Sequence, residues 1–131
     1  MANVMQFDLV SPERSLASLE ATAVKIPGAE GDLTAMPGHS PLLTSLRPGV
    51  VRVQTADGEK DFVVTRGFAD ITADSISVIA EHAHKGEDVT KADLEDVIAD
   101  ARKAAAEAPE EHKDGAEKFV ADLEQLMHDM V

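Results

Sequence analysis

Residues 24–55 read VKIPGAEGDLTAMPGHSPLLTSLRPGVVRVQT. At the start of this stretch Thr22, Val24 and Ile26 alternate with Ala23 and Lys25. At its end Val51, Val53 and Thr55 alternate with Arg52 and Gln54. A repeat of two is the side-chain period of a strand with one face toward a core. Between the two runs fall Pro27-Gly28, Pro37-Gly38 and Pro48-Gly49. Proline presets φ and glycine tolerates the opposite hand, so each pair predicts a tight turn at a sheet end. Turns that return the chain on itself also predict that Asp32 and His39 come close together.

The same grammar extends outward. Met5, Phe7 and Leu9 alternate with Val4, Gln6, Asp8 and Val10. Phe62, Val64 and Arg66 alternate with Asp61, Val63 and Thr65, and Ile76 and Val78 with Ser75, Ser77 and Ile79. Asp57-Gly58 predicts a type I′ hairpin turn, in which both central residues need positive φ. No long helical period interrupts residues 1–86. The expected architecture there is an antiparallel β-sandwich or barrel, of roughly ten strands.

The pattern changes near Gly86. Leu94, Val97, Ile98, Ala101, Ala105 and Ala108 follow helical spacing, and Thr90-x-x-Asp93 resembles a capping box ahead of them. Pro109 interrupts the stripe. Ala116, Phe119, Val120, Leu123, Leu126, Met127 and Met130 form a second one. Residues 87–131 are therefore expected to be an antiparallel two-helix hairpin, a domain distinct from residues 1–86. A two-helix hairpin has little core of its own, so it should need the β domain, a partner or oligomerisation to stay folded.

Composition excludes whole classes of function. The 131 residues contain no Cys, which removes disulfide scaffolds, thiolate metal sites and cysteine nucleophiles. The net charge is −13. Such a surface repels phosphate backbones and anionic lipid heads, so neither nucleic acid nor a membrane surface is an expected partner. Residues 89–131 hold 12 acids and 5 bases, against 13 and 7 in residues 1–88. The shorter piece therefore carries about double the charge density. No apolar run reaches the roughly 18 residues of a membrane span. The first twenty residues include Asp8, Glu13 and Glu20 and no apolar core of a signal peptide, so no cleaved leader is expected.

Candidate chemistry is sparse. Gly38-His39-Ser40-Pro41-Leu42 imitates a nucleophile elbow, but Leu42 stands where the second glycine belongs. His82-x-His84 beside Glu81 places two imidazoles on one strand face without a third ligand pattern nearby. A metal or enzyme reading through His39, His82 and His84 therefore ranks low. Glu95, Asp96 and Asp100 are expected on the solvated face of a helix. No phosphate-binding loop is present, and neither a cofactor nor a metal is expected.

The ordered block Pro27-Gly28-x-x-Gly31, Pro37-Gly38-His39-Ser40-Pro41-Leu42-Leu43-Thr44-x-Leu46-x-Pro48-Gly49 resembles the epsilon subunit family of F-type ATP synthases, called delta in mitochondria. Phe7-x-Leu9-Val10-Ser11-Pro12-Glu13, Gly67-Phe68-Ala69-Asp70-Ile71 and Val78-Ile79-Ala80-Glu81 extend the resemblance over nearly the whole chain. It implies a non-catalytic rotor component on the cytoplasmic face of a bacterial inner membrane, held peripherally without insertion. One surface of the sandwich would bind the gamma subunit, and one end would touch the polar loops of the c-ring. The matching ring-facing loop runs from Glu30 to His39, with Glu30, Asp32, Met36 and His39 as the implied contacts. The hairpin is the family's regulatory element and would reach toward the alpha/beta catalytic head.

Two departures bear on that regulation. Residues 111–131 carry Lys113 and Lys118 among Glu111, Asp114, Glu117, Asp122, Glu124 and Asp129, so like charges oppose docking on an acidic segment of the head. In Leu94-Glu95-Asp96-Val97-Ile98-Ala99 an Ile stands where some relatives place the Arg of an ATP-binding motif, so no nucleotide site is expected. A stand-alone acidic adaptor gripping a basic partner through its hairpin is the competing reading.

Overall fold

A computed structural model of the chain describes residues 4–129. Ten strands precede two helices. They are β1 (Met5–Val10), β2 (Ser15–Ala21), β3 (Ala23–Gly28), β4 (Gly31–Ala35), β5 (Leu42–Leu46), β6 (Gly49–Thr55), β7 (Gly58–Val64), β8 (Gly67–Ile71), β9 (Ser75–Ala80) and β10 (Ala83–Lys85), followed by α1 (Lys91–Glu107) and α2 (Glu110–Asp129). The chain divides into two compact units between Asp88 and Val89.

In the first unit the strands follow the order β10-β7-β6-β3-β5-β8-β9-β1-β2, with β4 paired to β3 outside this path. The sheet folds over on itself, so that β2 approaches β6 and β10. The predicted alternation is what makes this possible. Met5, Phe7, Leu9, Val24, Ile26, Val51, Val53, Phe62, Val64, Ile76 and Val78 all point into one core. Phe7 and Phe62 meet there with ring centroids 5.9 Å apart. Thr65 is buried among them, and its hydroxyl accepts the His82 amide N–H at 3.2 Å. A polar group so placed stays buried at little cost because it is hydrogen-bonded.

Three local expectations change in the folded chain. The β1–β9 ladder is parallel, whereas every other ladder is antiparallel. The expected all-antiparallel sandwich is thus a mixed one, because β1 inserts between β9 and the returning β2. Thr22 lies in the bend between β2 and β3 and is exposed, with its hydroxyl donating to the Gln54 carbonyl at 3.2 Å. The β6–β7 turn is not type I′. No non-glycine residue among those described has positive φ, and Gly58 takes φ 120°. Ala56 and Asp57 therefore form the corner and Gly58 absorbs the reversal after it, a turn stabilised by the Asp57 N–H donating to Thr55 Oγ1 at 3.1 Å. The β3–β4 turn repeats this device, with Ala29-Glu30 at the corner and Gly31 at φ 145°.

In the second unit α1 starts at the predicted capping box. Thr90 Oγ1 accepts the Asp93 N–H at 3.2 Å, and the Asp93 carboxylate accepts the Thr90 N–H at 2.9 Å. Leu94, Ile98, Ala101 and Ala105 are buried along α1, and Leu123 and Leu126 along α2. Ala108 is the C-cap rather than a stripe residue, and Met130 lies outside the described residues. Ile98, Ala101 and Leu123 form the contact between the helices, flanked by Val97, Phe119, Val120 and Met127. Arg102 Nη2 bridges them by donating to Glu124 Oε2 at 2.9 Å. Replacing Thr90 with Ala removes one half of the cap while leaving the stripe intact. We expect a loss of about 1 kcal/mol in the stability of α1, with Thr90→Ser near neutral. Amide exchange across α1 in the full chain measures it.

Candidate functional site

The stretch that decides the fold also builds the end of the β domain around Glu30. Gly28 faces Gly31 across the β3–β4 turn and Leu46 across the β3–β5 ladder. A Cβ on Gly28 would stand 2.7 Å from the Gly31 carbonyl oxygen, and one on Gly49 would stand 2.7 Å from Pro27 Cβ. Neither glycine has positive φ, and Pro27-Gly28 lies within β3 while Gly49 opens β6. Of the three Pro-Gly pairs, Pro37-Gly38 is the one that turns the chain. The other two make room for the backbones of β3, β4 and β6 to converge.

Arg47 fills the corner between β5 and β6. Its backbone N–H donates to the Pro27 carbonyl at 3.0 Å, and Ala29 N–H donates to the Ser45 carbonyl at 2.9 Å. From its guanidinium, Nη1 donates to the Gly28 carbonyl and Nη2 to Asp32 Oδ1. Lys25 Nζ lies 3.7 Å from Asp32 Oδ2. Asp32 is exposed but engaged on both oxygens, whereas Glu30 is exposed at the corner and has no ion pair among the described residues. This end is charge-balanced, with Lys25 and Arg47 against Glu30 and Asp32. Sequence reasoning passed over Arg47. The available signal was a lone base beside a Pro-Gly pair, in a stretch that also carried an acid.

Met36 and His39 lie at the other end of β4. About 13 Å of strand separate Gly31 from Ala35, so Asp32 and His39 are not brought together as expected. Met36-Pro37-Gly38-His39 forms a type II turn, with Gly38 at φ 90° and His39 N–H donating to the Met36 carbonyl at 3.0 Å. Gly38 N–H docks this turn on the β8–β9 turn through the Ala73 carbonyl at 2.9 Å. His39 Nδ1 lies 2.6 Å from the Ser40 carbonyl. A carbonyl only accepts, so Nδ1 is the donor in this contact. Met36 is 57% exposed.

A third surface is apolar. Phe68 on β8 pairs with Ile79 on β9 and with Ser45 on β5, and Ile79 pairs with Val10 on β1. Phe68 and Ile79 are 55% and 53% exposed, and Leu43, two residues from Ser45 on the same strand, is 68% exposed. Phe68 and Ile79 lie side by side on the outer face, with Leu43 on the neighbouring strand, and leave large apolar groups in water.

The other candidates disperse. Glu81 is engaged by Arg66 Nε at 2.8 Å, and His84 sits on β10. Among the described residues no group of three His, Asp or Glu converges on one point. Ser40 is exposed, and the next helix begins only at Lys91. Glu95, Asp96 and Asp100 are exposed on α1, while Ile98 is buried in the hairpin contact. Arg52 and Asp61 face each other across β6 and β7 in a two-point pair at 3.0 and 3.3 Å. Hydrogen bonding to Asp61 and the charges of Asp61 and Glu59 raise the Arg52 guanidinium above its ordinary value, so it stays charged. No helix among the described residues is long and apolar enough to cross a membrane.

The chain is thus a mixed β-sandwich with an exposed apolar sheet face, followed by a two-helix hairpin. Residues 4–86 match the family described as "ATP synthase, Delta/Epsilon chain, beta-sandwich domain". The ATP synthase epsilon chain of a Ruegeria species is 54% identical over 131 residues, covering 96% of each chain. That of Rhodobacter capsulatus is 48% identical over 126 residues, again covering 96% of each. A chain of the Euglena gracilis mitochondrial ATP synthase has the same fold, with a TM-score of 0.72 at 19% identity, covering 100% of this chain and 84% of that one. The chain therefore belongs to the ATP synthase delta/epsilon family, and within it to the non-catalytic epsilon type.

The close approach at Gly28 is testable directly. Gly28→Ala forces backbone against backbone, and we expect a destabilisation of about 1–3 kcal/mol. Glu30→Ala at the exposed corner should stay within about 0.5 kcal/mol. Urea unfolding of the two variants measures the difference.

Proposed function

We propose that this chain is a rotor subunit of the ATP synthase central stalk that couples ion flow through the c-ring to rotation of gamma. The observation that carries the proposal is the exposed row of Phe68 and Ile79, with Leu43 beside it, on a chain of the epsilon family. That face is the docking site for gamma. The charge-balanced end with Glu30 and Asp32 meets the polar loops of the c-ring, whose cationic side chains an acidic corner complements. Charged contacts of this kind set register and partner choice more than raw affinity. Met36 and His39, at the opposite end of β4, extend the same ring-facing surface, since about 13 Å of strand lies within the span of one protein interface. The Euglena and Tetrahymena structures of this fold come from assemblies described as containing a c-ring, which supports the reading of partners. The subunit sits peripherally on the cytoplasmic face of the bacterial inner membrane.

The β domain, residues 1–86, is the coupling body, and the hairpin, residues 87–131, is an appendage with at most weak control of ATP hydrolysis. Exposed acids on α2 outnumber Lys113 and Lys118, so docking on an acidic part of the alpha/beta head is opposed by charge.

Phe68→Glu places a charge in the centre of the apolar row. We expect capture by gamma to weaken by about 30-fold or more, as for loss of an interface anchor, with the fold unchanged because Phe68 is exposed. Wild-type capture by gamma would remove the proposed face. Asp32→Lys leaves one acid against three bases at the ring-facing end. It should weaken attachment to the ring several-fold at low salt, and the effect should fade as salt rises. Unchanged attachment at low salt contradicts the contact. Truncation after Gly86 should leave a folded domain that still binds gamma and ATPase activity close to that of the intact complex. A strong rise in hydrolysis would instead identify the hairpin as a brake.

A further inference from the structure

We infer that the two unpaired edges of the sheet form a surface complementary to a second copy of this chain, and that Lys60 and Lys85 keep that surface from pairing. The strand order ends in β10 on one side and β2 on the other. The fold brings these ends together, yet among the described residues no ladder joins β2 to β10 or to β7. β10 covers β7 from Phe62 to Val64, and the Gly86 N–H donates to the Asp61 carbonyl at 2.8 Å. Before Asp61, β7 is paired on its β6 side alone. β2, seven residues long, is paired on its β1 side alone. Unpaired backbone groups along a strand are a template for another strand. The two open edges differ, so an edge of one copy meets the other edge of the next in a head-to-tail contact that does not close.

Between the edges lies a groove of about 800 Å³, walled by Leu16, Ala17 and Leu19 from β2 and by Lys60, Phe62 and Lys85 opposite. Register fixes the side on which the lysines stand. Directly opposite residues share a sheet face. Lys60 is opposite Val53, and Lys85 is opposite Phe62. Val53 and Phe62 face the core, so both lysines stand on the core side of the sheet, where the sandwich opens and leaves them exposed. They are diagonal neighbours, about 7–8 Å apart at Cα. Of the acids around the groove, Glu59 and Asp61 are engaged by Arg52, which leaves Glu87. A strand added to either edge covers the groove and takes two ammonium groups out of water with one acid to pair them. Burying a charge without a partner is expensive. On β2 the core side carries Ala17, Leu19 and Ala21, opposite Leu9, Phe7 and Met5. That apolar wall favours addition of a strand, and the lysines across the groove oppose it.

Three double variants of the full-length chain test this against wild type. Sedimentation velocity over a concentration series reads self-association, and amide exchange reads its place. For Lys60→Val with Lys85→Val we expect self-association at least about tenfold tighter than wild type, with slowed exchange in β2 and at residues 58–60. This change makes the chain more acidic, so general repulsion works against the expected result. Lys60→Glu with Lys85→Glu keeps a charge at both positions and should sediment like wild type. Lys91→Val with Lys103→Val trades the same charges for apolar surface on the exposed side of α1, and should also match wild type. Unchanged sedimentation of the first variant overturns the inference. So does association that leaves exchange at the two edges unaltered, which would place the contact elsewhere, as on the Phe68 and Ile79 face. Equal association by either of the other two variants overturns it as well, because charge at these two positions would then not be the cause.

Discussion

A single ladder step, Gly28 opposite Leu46, joins the two halves of the sheet: β10-β7-β6-β3 on one side and β5-β8-β9-β1-β2 on the other. One residue pair is a slender hydrogen-bonded link between two sheet halves that share one core. The structure reinforces it from three directions. Pro27 packs against Gly49 so closely that no side chain fits at position 49. Two backbone hydrogen bonds flank the step, and Arg47 closes over it. The glycines of Pro27-Gly28 and Pro48-Gly49 serve this convergence through their missing Cβ atoms rather than through positive φ. The two halves also meet face to face through one shared core, where Phe7 packs on Phe62, so the seam closes an edge of a body that is already packed.

Once the seam is closed, the outside of the sandwich divides by chemistry. The sheet face bearing Phe68 and Ile79 is apolar, and the end bearing Glu30 and Asp32 is charged but balanced. In the proposed arrangement hydrophobic burial holds one partner, while the charged end sets how a second meets it. The Met36–His39 turn is braced on the β8–β9 turn at the far end of β4. The helical hairpin has a thinner basis. Its buried residues are Leu94, Ile98, Ala101 and Ala105 on α1 and Leu123 and Leu126 on α2, with a half-buried border and an exposed Arg102–Glu124 pair. Alanine removes little area from water, and exposed ion pairs contribute at most about 1 kcal/mol.

Much of this was legible in the residues. The alternation of Met5, Phe7 and Leu9, of Val51 and Val53, and of Ile76 and Val78 identified core-facing positions, because a strand exposes its period directly. Thr90 and Asp93 announced the start of α1 for an equally local reason. The errors came where geometry depends on neighbours. Asp57-Gly58 matches the signature of a turn with positive φ at both residues, yet the corner lies one step back at Ala56-Asp57 and Gly58 alone has positive φ. A parallel partner for β1 had no signature, since β9 is some seventy residues away and any strand face of Val and Ile would satisfy the pattern. Asp32 and His39 looked adjacent because the turns between them were counted as reversals, whereas β4 runs straight between the two sites.

The periodicities, the capping box, the acidic balance and the family resemblance are properties of short, contiguous pieces of chain, and there the order of residues was sufficient. The fate of Asp32 was not among them. Its partner Arg47 lies 15 residues away, and the sequence offers Lys25, Arg47 and Arg52 as comparable bases. Which of them reaches the carboxylate depends on where β3, β5 and β6 converge. That convergence follows from packing of the whole core, because a charge pair worth so little on its own cannot choose the geometry that creates it.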